Sequence, residues 1–345
     1  MIRADANSVI GTGHVMRCVA LAQAWQEAGG TVAFACAELP DALESRLHSE
    51  QCAVHRFESA PASRREAHDI QETLRIANTT HPQWLVLDGY QFGPDYQLAL
   101  RDVKWRLMVI DDDGRHEAYH ANVLLNQNAG AAAVFYGRHT HGTRILLGCQ
   151  YAMLRREFRQ MSPKLATSES ISQVLLTLGG ADQGNLTERF LTILRSGLPA
   201  DCQINVLIGP ANPHVFRLRE ITAKMKDVAL HVSPSNLPQI MASCDLAVTA
   251  AGSSVYELGY LGVPMLLAVT AENQRPIAAA LDHLGAAVRI DELGTNPSAD
   301  LPSALESLIS DPARRAECAA KFRQLVDGQG AARVVAILSE SSGVA

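Results

Sequence analysis

Aromatic residues are scarce in this sequence: Phe, Trp and Tyr together make up 5% of its 345 residues. That scarcity argues against the rows of stacked rings on which proteins hold single-stranded nucleic acid. Positive charge is also in deficit, with 30 Lys and Arg against 36 Asp and Glu and a formal net charge of -6. Polyanions such as DNA, and anionic membrane surfaces, are therefore repelled. No segment approaches the ~18 uninterrupted apolar residues of a membrane-spanning helix. The opening MIRADANSVIGTGH carries an acidic residue and two glycines where a secretory signal needs a basic end and then an apolar run, so a soluble, cytoplasmic protein is expected. Paired cysteines are missing too. The seven cysteines (Cys18, Cys36, Cys52, Cys149, Cys202, Cys244 and Cys318) form no C-x-x-C pair and are odd in number, which suits reduced, buried thiols and suggests no zinc site.

What is present is the material for two cores. Hydrophobic residues make up 47% of the chain and charged residues 19%, and the length favours two domains of about 150 residues. Short apolar or β-branched runs alternate with amphipathic helical segments, the pattern of parallel sheets covered by helices. The fold class is α/β, with two Rossmann-like doubly wound domains. In the first half, strands are expected at residues 2–5, 31–36, 52–57, 84–88 and 107–111. In the second they are expected at 174–178, 203–208, 228–231, 246–249 and 265–269. Residues 155–173 turn polar and irregular, which places an N-terminal domain at 1–155 and a second domain at 172–330, with a C-terminal helix or tail at 331–345. Residues 312–338 read as two helices. Ligands of such folds sit at the carboxyl ends of the strands, here in an expected cleft between the domains.

The loops after strands therefore carry the candidates. After the first strand come Gly11, Gly13 and His14, where a helix opens. Glycine lets the backbone turn tightly and a ligand approach, and a helix start presents free N–H groups to polar or anionic parts of a ligand. No Lys follows, so this is not a Walker loop, and the third glycine of a dinucleotide fingerprint is absent. His14 is placed to project into the cleft, and an ordinary imidazole titrates near ~6.5, suited to taking a proton at neutral pH. Taken alone, it reads more readily as a capping or core histidine, and Arg3 with Asp5 as a strand-end ion pair. In the second half, Gly179 to Asn185 form another glycine-rich turn, where Asp182 or Asn185 meets a ligand or caps the next helix. Ala251-Gly252-Ser253-Ser254 bring hydroxyls and unpaired N–H groups to one helix start, an environment suited to a diphosphate. Glu257, a turn later, reaches ribose hydroxyls or is a solvated carboxylate near the positive helix end, while Val255, Leu258 and Leu261 pack inward. Asn273 and Gln274 cap a helix or bond a sugar. Asp111-Asp112-Asp113 read as an exposed turn rather than a metal site, His139 and His141 as incidental, and Tyr90 as either facing the cleft or packing.

Taken together, I-R-A-D-A-N-S-x-I-G-T-G-H-V-M-R-C from Ile2, L-G-G-A-D-x-x-N-L-T from Leu178, A-G-S-S-x-Y-E from Ala251 and Glu272-Asn273-Gln274 resemble one family. It is the UDP-2,4-diacetamido-2,4,6-trideoxy-β-L-altropyranose hydrolases of pseudaminic acid biosynthesis, together with SpsG-type spore-coat proteins. The similarity spans roughly residues 1 to 290, and its S-S-x-x-E part is shared with MurG-like glycosyltransferases. It implies a GT-B-like fold and metal-independent, inverting hydrolysis of a UDP-sugar, without a cofactor and with His14 catalytic. It also implies a sugar site at Asp5, Gly13, Arg17, Tyr90 and Asn273, and UDP held by Gly180, Asp182, Ser253, Ser254 and Glu257. Where the family carries Asp-His-Tyr-Gly, this chain has Asp88-Gly89-Tyr90-Gln91, so the particular sugar is not implied. The partner expected is a UDP-sugar, with neither nucleic acid nor membrane. The same architecture serves a UDP-sugar glycosyltransferase or a non-catalytic sugar-nucleotide binder.

Overall fold

Strands buried on both faces read as near-continuous apolar runs because helices cover both sides of a parallel sheet. This chain has two such sheets. The computed structural model describes all residues except Ser8 and residues 102–103, 133–135, 138–141, 180–181, 210–211, 292–299 and 341–345. The chain divides into two compact units, Met1–Arg156 joined by the last helix, and Glu157–Asp327.

In the first unit, β1 (Ile2–Ala4), α1 (Gly13–Glu27), β2 (Ala33–Cys36), α2 (Asp41–Ser49), β3 (Ala53–Arg56), α3 (Arg65–Thr80), β4 (Trp84–Asp88), α4 (Pro94–Leu100), β5 (Arg106–Ile110), β6 (Val123–Asn126) and β7 (Arg144–Leu147) follow in order. All pairings are parallel, in the order β3-β2-β1-β4-β5-β6-β7. The chain fills the sheet outward in one direction from β1, then returns to build from β4. That reversal falls between two adjacent strands, Ala4 pairing with Asp88, and leaves a crevice at their carboxyl ends.

After α5 (Arg156–Arg159) come β8 (Gln173–Thr177), α6 (Leu186–Gly197), β9 (Gln203–Ile208), α7 (Val215–Thr222), β10 (Val228–Val232), α8 (Leu237–Ser243), β11 (Leu246–Ala250), α9 (Ser254–Leu261), β12 (Met265–Val269), α10 (Arg275–His283), β13 (Val288–Asp291), α11 (Leu301–Ile309) and α12 (Pro312–Leu325). This sheet runs β10-β9-β8-β11-β12-β13, so its reversal lies between β8 and β11. The glycine-rich turns after residues 177 and 250 both open there. Finally α13 (Gly330–Glu340) returns to the first unit, where Val334, Val335 and Leu338 join a core with Val15, Val19 and Leu21 of α1.

Strands at 84–88, 203–208 and 265–269 have the expected bounds, and the others shift by a residue or two at their ends. Three four-residue strands, β6, β7 and β13, extend the sheets further. Runs as short as V-L-L or R-I-L-L are too brief to show a period. Six of the seven cysteines are buried, Cys149 being intermediate. No helix among the described residues is long and apolar enough to cross a membrane.

One close approach in the second unit tests the packing. At Gly259 of α9 an added Cβ would lie 1.9 Å from Cδ1 of the fully buried Phe322 on α12. Gly259→Ala is expected to destabilise this unit by about 1–3 kcal/mol, with part of the loss recovered in the Gly259→Ala/Phe322→Leu double variant. Urea unfolding followed by far-UV circular dichroism measures both. Equal stability of Gly259→Ala and the parent would contradict the packing.

Candidate active site

The segment after β1 is built to hold one histidine still. Asn7 Oδ1 accepts hydrogen bonds from the Val9 and Ile10 N–H groups, each at 2.8 Å, and its carbonyl accepts Gly11 N–H at 3.0 Å. Gly11 supplies the left-handed turn (φ 75°) that this loop requires before α1 begins. His14 and Arg17 then share one helix face, three residues apart, and both side chains are almost wholly buried. They meet Asp88, the completely buried last residue of β4, across the reversal of the sheet.

The contacts form a closed cluster. His14 Nδ1 lies 2.6 Å from Asp88 Oδ1. Arg17 forks onto the same carboxylate, Nε donating to Oδ2 and Nη2 to Oδ1, both at 2.6 Å. Its Nη1 donates to Asp112 Oδ1 at 2.6 Å. Asp112 also accepts from Asn128 Nδ2 at 2.8 Å and from the Tyr90 hydroxyl at 3.1 Å. The Tyr90 ring and the imidazole meet edge-on, centroids 4.9 Å apart, and Arg115 lies 4.2 Å over the Tyr90 ring. Burial opposes charge on Asp88, but Arg17 and then His14 outweigh it and hold the carboxyl below its usual range. Burial likewise opposes charge on Asp112, where Arg17 prevails in the same direction. Despite its burial, Arg17 is pushed well above its ordinary value by Asp112 and Asp88.

A 2.6 Å approach of Nδ1 to a carboxylate oxygen requires a proton on that nitrogen. Arg17 Nη2 also comes within 3.1 Å of Nδ1, yet its shorter bond goes to Asp88. The ring therefore donates through Nδ1, which in the neutral ring leaves Nε2 as the acceptor, the arrangement by which a carboxylate orients a histidine base. Beside it is a pocket of about 330 Å³ lined by Asp5, Ile10, His14, Asp88, Gly89, Tyr90 and Gln91.

The other candidates fall into distinct places. Gly13 is the first residue of α1. Both oxygens of Asp5 are engaged: they accept from Arg3, from the Ala37 and Glu38 N–H groups and from Gln91 Nε2. Arg3 is itself fully buried, bonded to Asp69 and set between the Phe57 and Phe92 rings. Arg3 and Asp5 are thus the strand-end pair, and Asp5 shapes the pocket floor and holds Gln91. In the second unit Asp182 accepts from the Leu186 and Thr187 N–H groups, both at 2.9 Å, and so caps α6. Gly180 lies outside the described residues, as do His139 and His141. Ser253 is exposed and Ser254 half-buried at the start of α9, and the Ser253 side chain makes no cap bond to that helix. Glu257 is half-buried one turn on, and Val255, Leu258 and Leu261 pack inward. Asn273 is half-buried in the turn after β12, whereas the Gln274 side chain folds back on that turn, accepting from the Thr270 N–H at 2.9 Å and from its hydroxyl at 3.1 Å, and makes no cap bond to α10.

One expectation is overturned. Asp111 to Asp113 are not an exposed turn: Asp111 accepts from the Tyr119 and Tyr136 hydroxyls and the Gly114 N–H, and Asp112 enters the Arg17 cluster. Only Asp113 faces outward, paired with Arg115. The residues that sequence reasoning underrated are Asp88, Asp112 and Asn128. A carboxylate ending a wholly apolar strand is the signal that could have marked the first of them.

Fold and site together define the class: two Rossmann-like units of the GT-B kind. MurG of Acinetobacter baumannii superposes with a TM-score of 0.64 at 17% identity, covering 98% of this chain and 99% of that one. Residues 242–322 match the family model described as UDP-glucoronosyl and UDP-glucosyl transferase. Within that class, the sequence is related to the UDP-2,4-diacetamido-2,4,6-trideoxy-β-L-altropyranose hydrolase of Campylobacter jejuni, 24% identical over 286 residues, which cover 83% of this chain and 96% of that protein. It is also related to the spore coat polysaccharide biosynthesis protein SpsG of Bacillus subtilis, 28% identical over 200 residues covering 57% of this chain and 59% of that one. The resemblance read from the motifs is therefore borne out over most of the chain.

The cluster leaves a signature in acid. A carboxyl held below its ordinary value contributes stability that is fully present above the unfolded value of ~3.9 and is lost as pH falls below it. Asp88→Asn is expected to cost about 3 kcal/mol at pH 7 by breaking a buried pair, and the gap from the parent should narrow between about pH 5 and 3. Tryptophan fluorescence during denaturant unfolding reports this unit, because Trp25, Trp84 and Trp105 all lie within it. Parallel stability curves across that pH range would contradict the assignment.

Proposed function

We propose that this chain is a metal-independent UDP-sugar hydrolase. It releases UDP from a UDP-2,4-diacetamido-2,4,6-trideoxyhexose by water attack at the anomeric carbon with inversion, in the synthesis of pseudaminic or a related surface sugar. The observation that carries this reading is the His14–Asp88 contact beside a pocket at the reversal of the first sheet. The relationship to the Campylobacter hydrolase supports the substrate class.

In this reading His14 Nε2 takes the proton from water as its oxygen bonds to the anomeric carbon. The bond to the diphosphate oxygen breaks with its electron pair going to UDP. Positive charge gathers on the ring, and Asp88 opposite Nδ1 stabilises it. UDP is a good leaving group, so its departure needs no general acid. Its charge is met by N–H groups at the start of α9 near Ser253 and Ser254, fixed dipoles that reorganise little during reaction. Glu257 accepts from ribose hydroxyls, and Tyr90, Asn273 and Arg17 order the sugar site, Arg17 through Asp88.

The second reading is a glycosyltransferase, favoured by the transferase family model over 242–322 and by the MurG-like fold. Turnover of the UDP-sugar in ¹⁸O-labelled water, read by mass spectrometry, separates the two. The hydrolase places the label in the released sugar with no acceptor added and is unaffected by EDTA, whereas a transferase forms product only with an acceptor. His14→Asn is expected to lower kcat by about 100-fold or more while UDP affinity, measured by calorimetry, stays unchanged. Near-normal turnover of a folded His14→Asn protein would move the base elsewhere.

A further inference from the structure

A second cavity, of about 590 Å³, lies in the first unit at the end of the sheet opposite His14. Strands β1 and β4 run from one to the other: Ile2 and Trp84 wall this cavity, while Asp5 and Asp88 border the pocket of His14. Its volume falls within the range of about 300–1,000 Å³ typical of small-molecule sites. The cavity is an open cleft, with Gly29, Thr31 and Ala53 exposed at its rim.

The walls define a chemistry. Leu21 and Trp25 come from α1, Trp84 and Val86 from β4, and Leu338 from α13. Two of the three tryptophans of the chain border this space, Trp25 half-buried and Trp84 buried with only an edge exposed. Among the described residues lining it there is no Asp, Glu, Lys or Arg, and the Met1 amine donates to the Trp84 carbonyl at 2.8 Å and has its pKa lowered to about 5 by burial, so a charged ligand would lose hydration without gaining a charged partner. The polar side chains are Thr31, His55, Thr80, His81 and Gln83, which can meet one or two hydrogen-bonding atoms of a ligand. The Trp84 indole N–H is already committed to the Leu338 carbonyl at 3.1 Å, which fixes that ring as a wall.

We infer that this cavity is a binding site for a small, uncharged, planar aromatic molecule carrying one or two hydrogen-bonding atoms, distinct from the pocket of His14.

The neutral naphthalene dye prodan tests the site on the full chain. It should bind saturably at one site and quench tryptophan emission by energy transfer, most completely in Trp105→Phe, where only the cavity tryptophans remain. Thr31→Phe and Ala53→Phe change exposed lining positions, so folding should survive in both, as checked by circular dichroism. Each should weaken dye binding tenfold or more. Failure of the parent to bind saturably, or equal affinity in both filled variants, would overturn the proposal. A chain ending at Glu340 that gained tenfold in affinity would assign the cavity to the chain's own last residues and overturn it too.

Discussion

One buried guanidinium holds the candidate site together. Arg17 spans Asp88 and Asp112, which otherwise would set two carboxylates side by side out of water. Like charges so placed cannot both stay ionised without a cation between them. Because Arg17 sits one turn after His14 on α1, the charge that keeps Asp88 ionised is positioned by the same helix that carries the ring. The strand end, the helix start and the acidic turn after β5 are thus locked by one side chain, and Tyr90 and Asn128 close the outer edge through Asp112. Arginine suits this place better than lysine, since its planar fork meets two carboxylates at once.

Topology explains why these residues meet at all. Residues 14 and 88 are distant in sequence, but β1 and β4 are neighbours and their connections leave in opposite directions. The same reversal between β8 and β11 sets the carboxyl end of β8 beside that of β11, which leads to the Ser253–Ser254 helix start. Each unit therefore presents one crevice of the same construction, filled with different chemistry. The first concentrates titratable side chains, and the second offers backbone N–H groups and hydroxyls.

Much of this was legible from residue order. Long apolar runs such as W-L-V-L-D and M-L-L-A-V marked central strands with their bounds, because burial on both faces leaves little room for polar residues. The loops worth inspecting followed from strand ends alone. Other features were hidden for physical reasons. Short strands like β6 lack a measurable period. Asp111 to Asp113 resemble a solvated turn until Tyr119, Tyr136 and Arg17 are folded against them, and no local rule announces partners so far along the chain. Asp5 and Asp182 share composition with ligand-binding carboxylates, yet their oxygens are spent on Arg3 and on helix N–H groups. Spacing cannot distinguish a carboxylate that binds a ligand from one that supports the fold; its hydrogen-bond partners can.

The central claim is that Asp88 fixes the imidazole of His14 with its proton on Nδ1 and Nε2 open toward the pocket. Long-range ¹H–¹⁵N correlation spectra of protein labelled at histidine, with His14 assigned by comparison with His14→Asn, read that tautomer directly near neutral pH. A neutral His14 ring protonated at Nδ1, with an unprotonated Nε2 resonance, is the predicted result. A ring protonated at Nε2 would contradict the account, because it would leave no base facing the pocket.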